Sequence, residues 1–167
     1  TKDTRNRAFM PTSGSIVSFN QSLPIFADKQ AISNTFRATK YKSITNDVVG
    51  AGKLYLSAIN GMGEDDVRIS KRKSLSSKRL RGFERNKVGP VDGSDHIGGN
   101  YVAALNFEAS LPNLLPEAYK TDVGLFLDFG NVWGVDYDDS LDESNEIRSS
   151  TGLAASWLSP IGPLSFV

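Results

Sequence analysis

Residues 100–111 read NYVAALNFEASL, and an apolar side chain occupies every odd-numbered position of this stretch. The even-numbered positions include Asn100, Asn106, Glu108 and Ser110. Successive side chains of a β-strand point to opposite faces of the sheet. The period of two therefore predicts a strand with one apolar face and one mostly polar face.

The same alternation recurs along the chain. It is clear in 121–133, where Phe126 and Val132 are exceptions, and in 147–158. Residues 17–25 alternate as well, 31–41 and 48–59 are weaker candidates, and a seventh strand is predicted to start at Pro163. Because no stretch has a convincing helical period, the sequence predicts an all-β antiparallel meander of about seven strands.

The connections between these strands differ in length. Residues 159–163 form a turn rich in Pro and Gly, and 111–120 form a modest linker, whereas a long loop runs from Gly61 to Gly99. A polar loop from Asp136 to Glu146 carries six acids and is expected to be a solvated outer loop. Short turns that alternate with long loops are typical of outer-membrane β-barrels. A soluble β-sandwich also has period-two strands, so periodicity alone leaves both architectures open.

The composition excludes several classes of protein. Lysine plus arginine equals aspartate plus glutamate at 19 each, mean hydropathy is −0.28, and apolar runs such as 101–105 are far too short for a membrane helix. The chain has no cysteine, so it has no disulfide and no thiolate metal site. His96 is the single histidine, and no nucleophile elbow or metal-binding pair accompanies it. We therefore expect no enzymatic activity, no metal and no cofactor.

Four motifs in a fixed order identify a family resemblance. They are DTRNR with FMPTSG in residues 3–14, LRGFE in residues 80–84 followed by GP at 89–90 and GGN at 98–100, LDFGNVW in residues 127–133, and SPIGPL in residues 159–164. This series resembles the barrel of the BamA family, including its Arg-Gly-Phe loop, over essentially the whole chain. Leu80 stands where the family usually has valine, and 68–79 is more basic than the family pattern.

The resemblance implies a fold and a function. It implies a sixteen-stranded transmembrane barrel, of which residues 1–167 are roughly the ninth to fifteenth strands. The N-terminal periplasmic repeats are expected to lie outside this chain, and the loop at about 61–99 is expected to fold inward. The implied function is the folding and insertion of β-barrel proteins into the bacterial outer membrane without covalent chemistry. The implied partners are unfolded outer-membrane proteins, accessory lipoproteins, periplasmic chaperones and membrane lipids.

The resemblance also implies a set of site residues, namely the loop motif Leu80, Arg81, Gly82 and Phe83 with the lumen carboxylates Glu108 and Asp128. The alternation independently places Glu108 and Asp128 on the polar face of neighbouring strands. The planar guanidinium of Arg81 suits two carboxylates, Gly82 permits a positive φ, and Phe83 is expected to anchor in the lumen. A solvated loop arginine above a wet lumen is the alternative reading from the residues alone.

The basic run between Arg68 and Lys87 holds nine basic residues and one acid, Glu84. A solvated or lumen-facing loop balanced by acidic neighbours is the favoured interpretation, and lipid contact is the alternative. Nucleic acid is disfavoured, because the run has a single aromatic residue, Phe83, for base stacking. Trp133 and Tyr137 at a strand end are expected in an interfacial aromatic belt, and core packing of Trp133 is the alternative.

Other functions fit parts of the pattern. A sibling barrel for autotransporter assembly or two-partner secretion also carries an Arg-Gly-Phe or Arg-Gly-Tyr loop. A passive porin and a soluble β-sandwich binding module are the alternatives from different classes.

Overall fold

The computed structural model of the chain describes residues 1–24, 30–62, 66–111, 114–115, 121–136, 145–159 and 162–166. Most of the acidic loop predicted after Asp136, and Pro160 and Ile161 of the late turn, lie outside these residues. Within the described part, no helix is both long and apolar enough to cross a membrane.

The described residues form one eight-stranded antiparallel sheet and one small hairpin. The strands of the large sheet are β1 (Lys2–Asp3), β2 (Gly14–Ser22), β3 (Ala31–Thr45), β4 (Val48–Gly61), β7 (Tyr101–Leu111), β8 (Thr121–Trp133), β9 (Arg148–Ser159) and β10 (Gly162–Phe166), in that spatial order. The hairpin pairs β5 (Val91–Asp92) with β6 (Asp95–His96) inside the long connection between β4 and β7. The predicted all-β antiparallel meander is therefore confirmed.

Strand boundaries differ from the sequence prediction at the N-terminal side. The strand predicted from Val17 begins at Gly14 and is preceded by the two-residue β1, because the backbone N–H of Thr4 donates to the carbonyl of Ser15 and prolongs the pairing. Strand β3 continues to Thr45, where a bulge and a two-residue turn lead directly into β4.

The two faces of the sheet have different surroundings. Paired residues of an antiparallel sheet share a face, and Leu105 pairs with Phe129 whereas Asn106 pairs with Asp128. The odd-numbered residues of β7 and β8 face outward, where Leu105 and Phe107 are exposed. The predicted separation of these apolar residues from Glu108 and Asp128 is confirmed. We call the face of the odd-numbered residues of β7 and β8 the outer face, and the opposite face the inner face.

The inner face is covered by residues 66–99, which we call the inner segment. It begins with an isolated 3-10 turn (Ile69–Lys71) and ends just before β7. Leu75, Leu80 and Val88 of the inner segment pack with the inner-face residues Val102 and Val132 in a small buried core. This packing explains why Val132 breaks the alternation, since a polar side chain there would be buried under the segment.

Candidate functional site on the inner face

Lys73, near the start of the inner segment, and Gly99, at its end, are held together beside the beginning of β7. Lys73 and Gly99 exchange backbone hydrogen bonds of 2.7 and 2.9 Å, and the N–H of Asn100 donates to the carbonyl of Gly134 at 2.7 Å. A closed base of this kind holds the segment as a loop whose tip projects along the inner face.

The tip is a compact turn around the Arg-Gly-Phe motif. The N–H groups of Arg79 and Leu80 both donate to the carbonyl of Ser76, and Gly82 has a φ of 82°. A positive φ is readily available only to glycine, so Gly82 lets the chain reverse directly after Arg81. The turn directs Leu80, which is 1% exposed, into the core, and Phe83 packs against the same core.

Arg81 forms a fork-shaped contact with Asp128. Its Nε donates to Oδ2 at 2.7 Å and its Nη2 to Oδ1 at 2.6 Å, and its backbone N–H donates to Oδ2 at 3.1 Å. Asp128 is 0% exposed and Arg81 is buried. Bidentate arginine–carboxylate pairs have a strict geometry and are among the strong hydrogen-bonded contacts in proteins. The buried carboxylate therefore has its charge matched by one specific side chain.

Glu108 joins the same cluster from the neighbouring strand. Its Oε1 lies 2.8 Å from Nη1 of Arg81, and its Oε2 lies 2.6 Å from Nζ of Lys53 on β4. Two acids thus face two bases, and the group is neutral. Burial alone lowers the pKa of Arg81, but the hydrogen bonds that its side chain donates to Asp128 and the charge of Glu108 outweigh this effect, so the pKa lies above its ordinary value. Arg81 stays charged in this position.

Two arginines of the tip also lie over aromatic rings. The guanidinium of Arg81 is 3.9 Å from the ring centre of Phe126, and that of Arg79 is 3.7 Å from the ring centre of Tyr55. Between them, Nδ2 of Asn106 donates to the carbonyl of Arg79 at 2.7 Å. The tip therefore spans β4, β7 and β8. Phe126, the other exception to the alternation of β8, faces inward because it is the platform for Arg81.

After the tip, the backbone of the inner segment runs very close to β8 at Gly89. Gly89 has a φ of 113°, and a Cβ at this position would lie 2.7 Å from Cβ of Val132. Any residue with a side chain at position 89 would therefore displace either the backbone of the inner segment or Val132 on β8.

A second ionic contact holds the opposite end of the inner segment. Nη2 of Arg72 lies 3.1 Å from Oδ1 of Asp136, and the N–H of Val67 donates to Oδ2 of the same carboxylate at 2.7 Å. The side chain of Arg72 is 1% exposed. Asp136, the first residue of the predicted solvated loop, is exposed as expected, and it also forms an ion pair with the buried Arg72. Composition alone does not distinguish one acid in a run of six, whereas the buried arginine does.

The partners of Tyr55 and Lys73 were not predicted from the sequence. Nζ of Lys73 lies 2.6 Å from Oγ of Ser33 on β3. The basic run thus divides into residues that contact the wall and exposed residues such as Arg85 and Lys87. The odd-numbered alternation of β4 was the available signal, since it places Tyr55 and Lys53 on one face.

We call the end of the sheet that carries the two-residue turn between β3 and β4 the short-turn end. A cavity of about 650 Å³ lies between the tip and this end. Its walls include Arg7 and Met10 of the β1–β2 connection, Lys78 of the tip, and Asp122 of β8. Among the described residues, no group of histidine, cysteine, aspartate or glutamate is arranged to hold a metal ion. The ion pairs of Arg81 and the packing of Leu80 and Phe83 are suited to holding the inner segment against the sheet.

Tyr101 and Trp133 mark the opposite end of the sheet. Their rings stack with centres 5.9 Å apart, and the hydroxyl of Tyr101 contacts the side-chain oxygen of Asn60 at 2.7 Å. Both residues are at outer-face register positions beside the long connections. This is the placement expected of an interfacial aromatic pair in a barrel wall.

Comparisons with known proteins give one consistent result. The family model described as the Omp85 superfamily domain matches residues 1–167. The chain is 29% identical to the outer membrane protein assembly factor BamA of Nitratidesulfovibrio vulgaris over 99% of its own length and 21% of the relative's. It is 29% identical to the BamA of Neorickettsia risticii over 93% of its length and 22% of the relative's. The chain thus spans about a fifth of the curated relatives it matches.

A solved structure extends this similarity to the fold. The crystal structure of BamA from Haemophilus ducreyi lacking POTRA domains 1–3 superimposes with a TM-score of 0.85 and 25% identity, covering 98% of this chain and 36% of that one. The similarity covers the eight-stranded sheet together with the inner segment.

Proposed function

Since the chain belongs to the Omp85 superfamily, we propose that it is part of a bacterial outer-membrane barrel that folds and inserts other β-barrel proteins. The predicted resemblance to the BamA family is confirmed by the matches of the preceding comparisons. Because the chain covers a fifth of those relatives, the activity of the whole protein is an inference from family and site together.

The observation that carries the proposal is the docking of the inner segment by Arg81. The Arg-Gly-Phe motif reaches Asp128 and Glu108 at 2.6 and 2.8 Å, and its position in the chain follows the motif order of the family. We assign to Leu80, Arg81, Gly82 and Phe83 the role of holding the segment in place.

The proposed mechanism requires no covalent step. Lipid cannot hydrogen-bond to unpaired strand backbone, so a substrate strand in the membrane must pair with another strand. An open sheet edge elsewhere in the barrel is the template, as in β-strand addition. The part of the barrel formed by residues 1–167 contributes a rigid wall and the docked segment. Unfolded outer-membrane proteins are the substrates, and accessory lipoproteins and periplasmic chaperones deliver them.

Rigidity of the wall follows from the contacts of the tip. The cluster joins β4 through Lys53, β7 through Glu108 and β8 through Asp128. Because Arg81 contacts carboxylates on both β7 and β8, sliding of one strand past the other would break a buried ion pair. The wall therefore resists sliding of β7 against β8 while strands are added at the template edge.

Reconstitution tests the proposal. The full-length natural protein is placed in liposomes, and an unfolded reporter barrel protein is added with its chaperone. Folding is followed by the change in gel mobility between heated and unheated samples. We expect faster folding than in protein-free liposomes. Folding at the protein-free rate, together with free permeation of small sugars, would instead support a passive porin.

A further inference from the structure

The outer face of the sheet carries charges of one sign only. In the described strands of the eight-stranded sheet, the acids are Asp3, Glu108, Asp122 and Asp128, and all four are at inner-face register positions. The charged residues at outer-face positions are three lysines, Lys2, Lys40 and Lys42. The rest of this face is rich in exposed apolar side chains, such as Phe19, Leu56, Phe107, Leu127, Leu153 and Phe166.

Lys40 and Lys42 form a pair on β3. They are two residues apart on one strand, so they point the same way with Cα atoms about 7 Å apart. Both are exposed, and neither side chain has an ion pair or hydrogen bond with the part of the chain that the structure describes. Two neighbouring cations without a protein partner repel each other unless an external anion lies between them.

The neighbouring strand β4 has a glycine beside each lysine of this pair. Lys40 pairs with Gly52 and Lys42 pairs with Gly50, so β4 presents no side chain next to either lysine. A Cβ at Gly52 would lie 4.0 Å from the ring of Phe107, and one at Gly50 would lie 2.8 Å from Ile44. Two exposed apolar side chains, Phe107 and Ile44, therefore lie beside the glycines that pair with the lysines.

The pair lies near the short-turn end of the sheet. Lys42 precedes the end of β3 at Thr45 by three residues. With a rise of about 3.3 Å per residue and a tilt of about 40°, Lys42 is roughly 8 Å and Lys40 roughly 13 Å from the strand end along the membrane normal. A lysine on the lipid face is strongly unfavourable at the midplane of the membrane but costs little near the interface. At this depth the flexible stems reach the head-group level.

We propose that Lys40 and Lys42 bind the phosphate of an anionic phospholipid in the leaflet at the short-turn end, with its acyl chains against Ile44 and Phe107. The inference rests on the proposed function, because it requires the outer face to contact lipid. Lipid fits better than a protein partner, because the pair combines two cations with an apolar surface and stands in a face otherwise suited to hydrocarbon. In the barrel, the site recruits anionic lipid beside one defined strand.

Native mass spectrometry of the full-length protein tests this site. The protein is released from neutral detergent containing equal amounts of phosphatidylglycerol and phosphatidylcholine, and the ratio of the two bound lipids is measured. Each lysine near an anionic lipid contributes about 1 kcal/mol, so Lys40→Gln with Lys42→Gln should lower the ratio about 25-fold. Lys40→Arg with Lys42→Arg should keep it.

A matched variant controls for net charge. Lys71→Gln with Lys87→Gln removes two exposed lysines of the inner segment and should leave the ratio unchanged. An unchanged ratio in the Lys40/Lys42 glutamine variant, or an equal loss in the control, would overturn the lipid site. The gel-mobility shift of the folded barrel in neutral vesicles is recorded in parallel. Failure of that shift in the natural protein would count against the proposed barrel itself, not against the lysine pair alone.

Discussion

Replacing Arg81 with alanine should release the inner segment from the wall. The substitution removes three hydrogen bonds from its side chain to two carboxylates and leaves Asp128, which is 0% exposed, without a cation. Leaving one partner of a buried pair uncompensated costs on the order of 3–5 kcal/mol. At about 1.4 kcal/mol per factor of ten, the open population of the segment should rise on the order of a hundredfold to a few thousandfold.

Nonspecific proteolysis of the full-length protein in liposomes measures this opening. When opening and closing are faster than cleavage, the cleavage rate within residues 66–99 follows the open population. Arg85→Ala is the matched control, since Arg85 is exposed and four residues away. Adding Asp128→Asn to Arg81→Ala should restore part of the protection, because it removes the uncompensated charge. Equal cleavage rates in the Arg81→Ala and Arg85→Ala proteins would refute the reasoning.

Three further predictions concern the contacts around this cluster. Gly89→Ala should lower the unfolding temperature clearly more than Gly82→Ala, because both have a positive φ but only Gly89 lies against Val132; equal shifts in thermal melts would argue against the close approach. The N–H of Val67 donates a hydrogen bond to Asp136, so Asp136→Ala should increase hydrogen exchange at this N–H, while exchange at the tip stays near the natural level. Arg79→Ala should destabilise the docked tip by about 0.5–2 kcal/mol, measured by the same proteolysis, and Arg79→Lys should recover part of the loss because it retains a cation over Tyr55.

Much of the fold was predictable because the chemistry of each strand is local. The alternation in 100–111 requires only that one face be apolar, and it assigns Leu105 and Glu108 to opposite sides without knowledge of any other strand. The length of the connections likewise follows from turn residues near each strand end. The meander and the separation of faces therefore follow from the sequence.

The contacts of the inner segment were less predictable because they are not local. Phe126 and Val132 look like errors in the alternation until a segment more than thirty residues earlier is known to cover them. The same holds for Asp136, whose partner Arg72 is 64 residues away. The placement of Arg81 near Glu108 and Asp128 was expected from the family motif, since a loop arginine by itself has no preferred wall position.

The most direct test of the account measures segment docking and assembly in the same liposomes. The natural protein, Arg81→Ala and Arg85→Ala are compared for protease protection of residues 66–99 and for the folding rate of an unfolded reporter barrel. We expect protection and folding rate to fall together in Arg81→Ala, and both to stay at the natural level in Arg85→Ala. An Arg81→Ala protein that loses protection but folds the reporter at the natural rate would contradict the claim that the docked segment serves assembly.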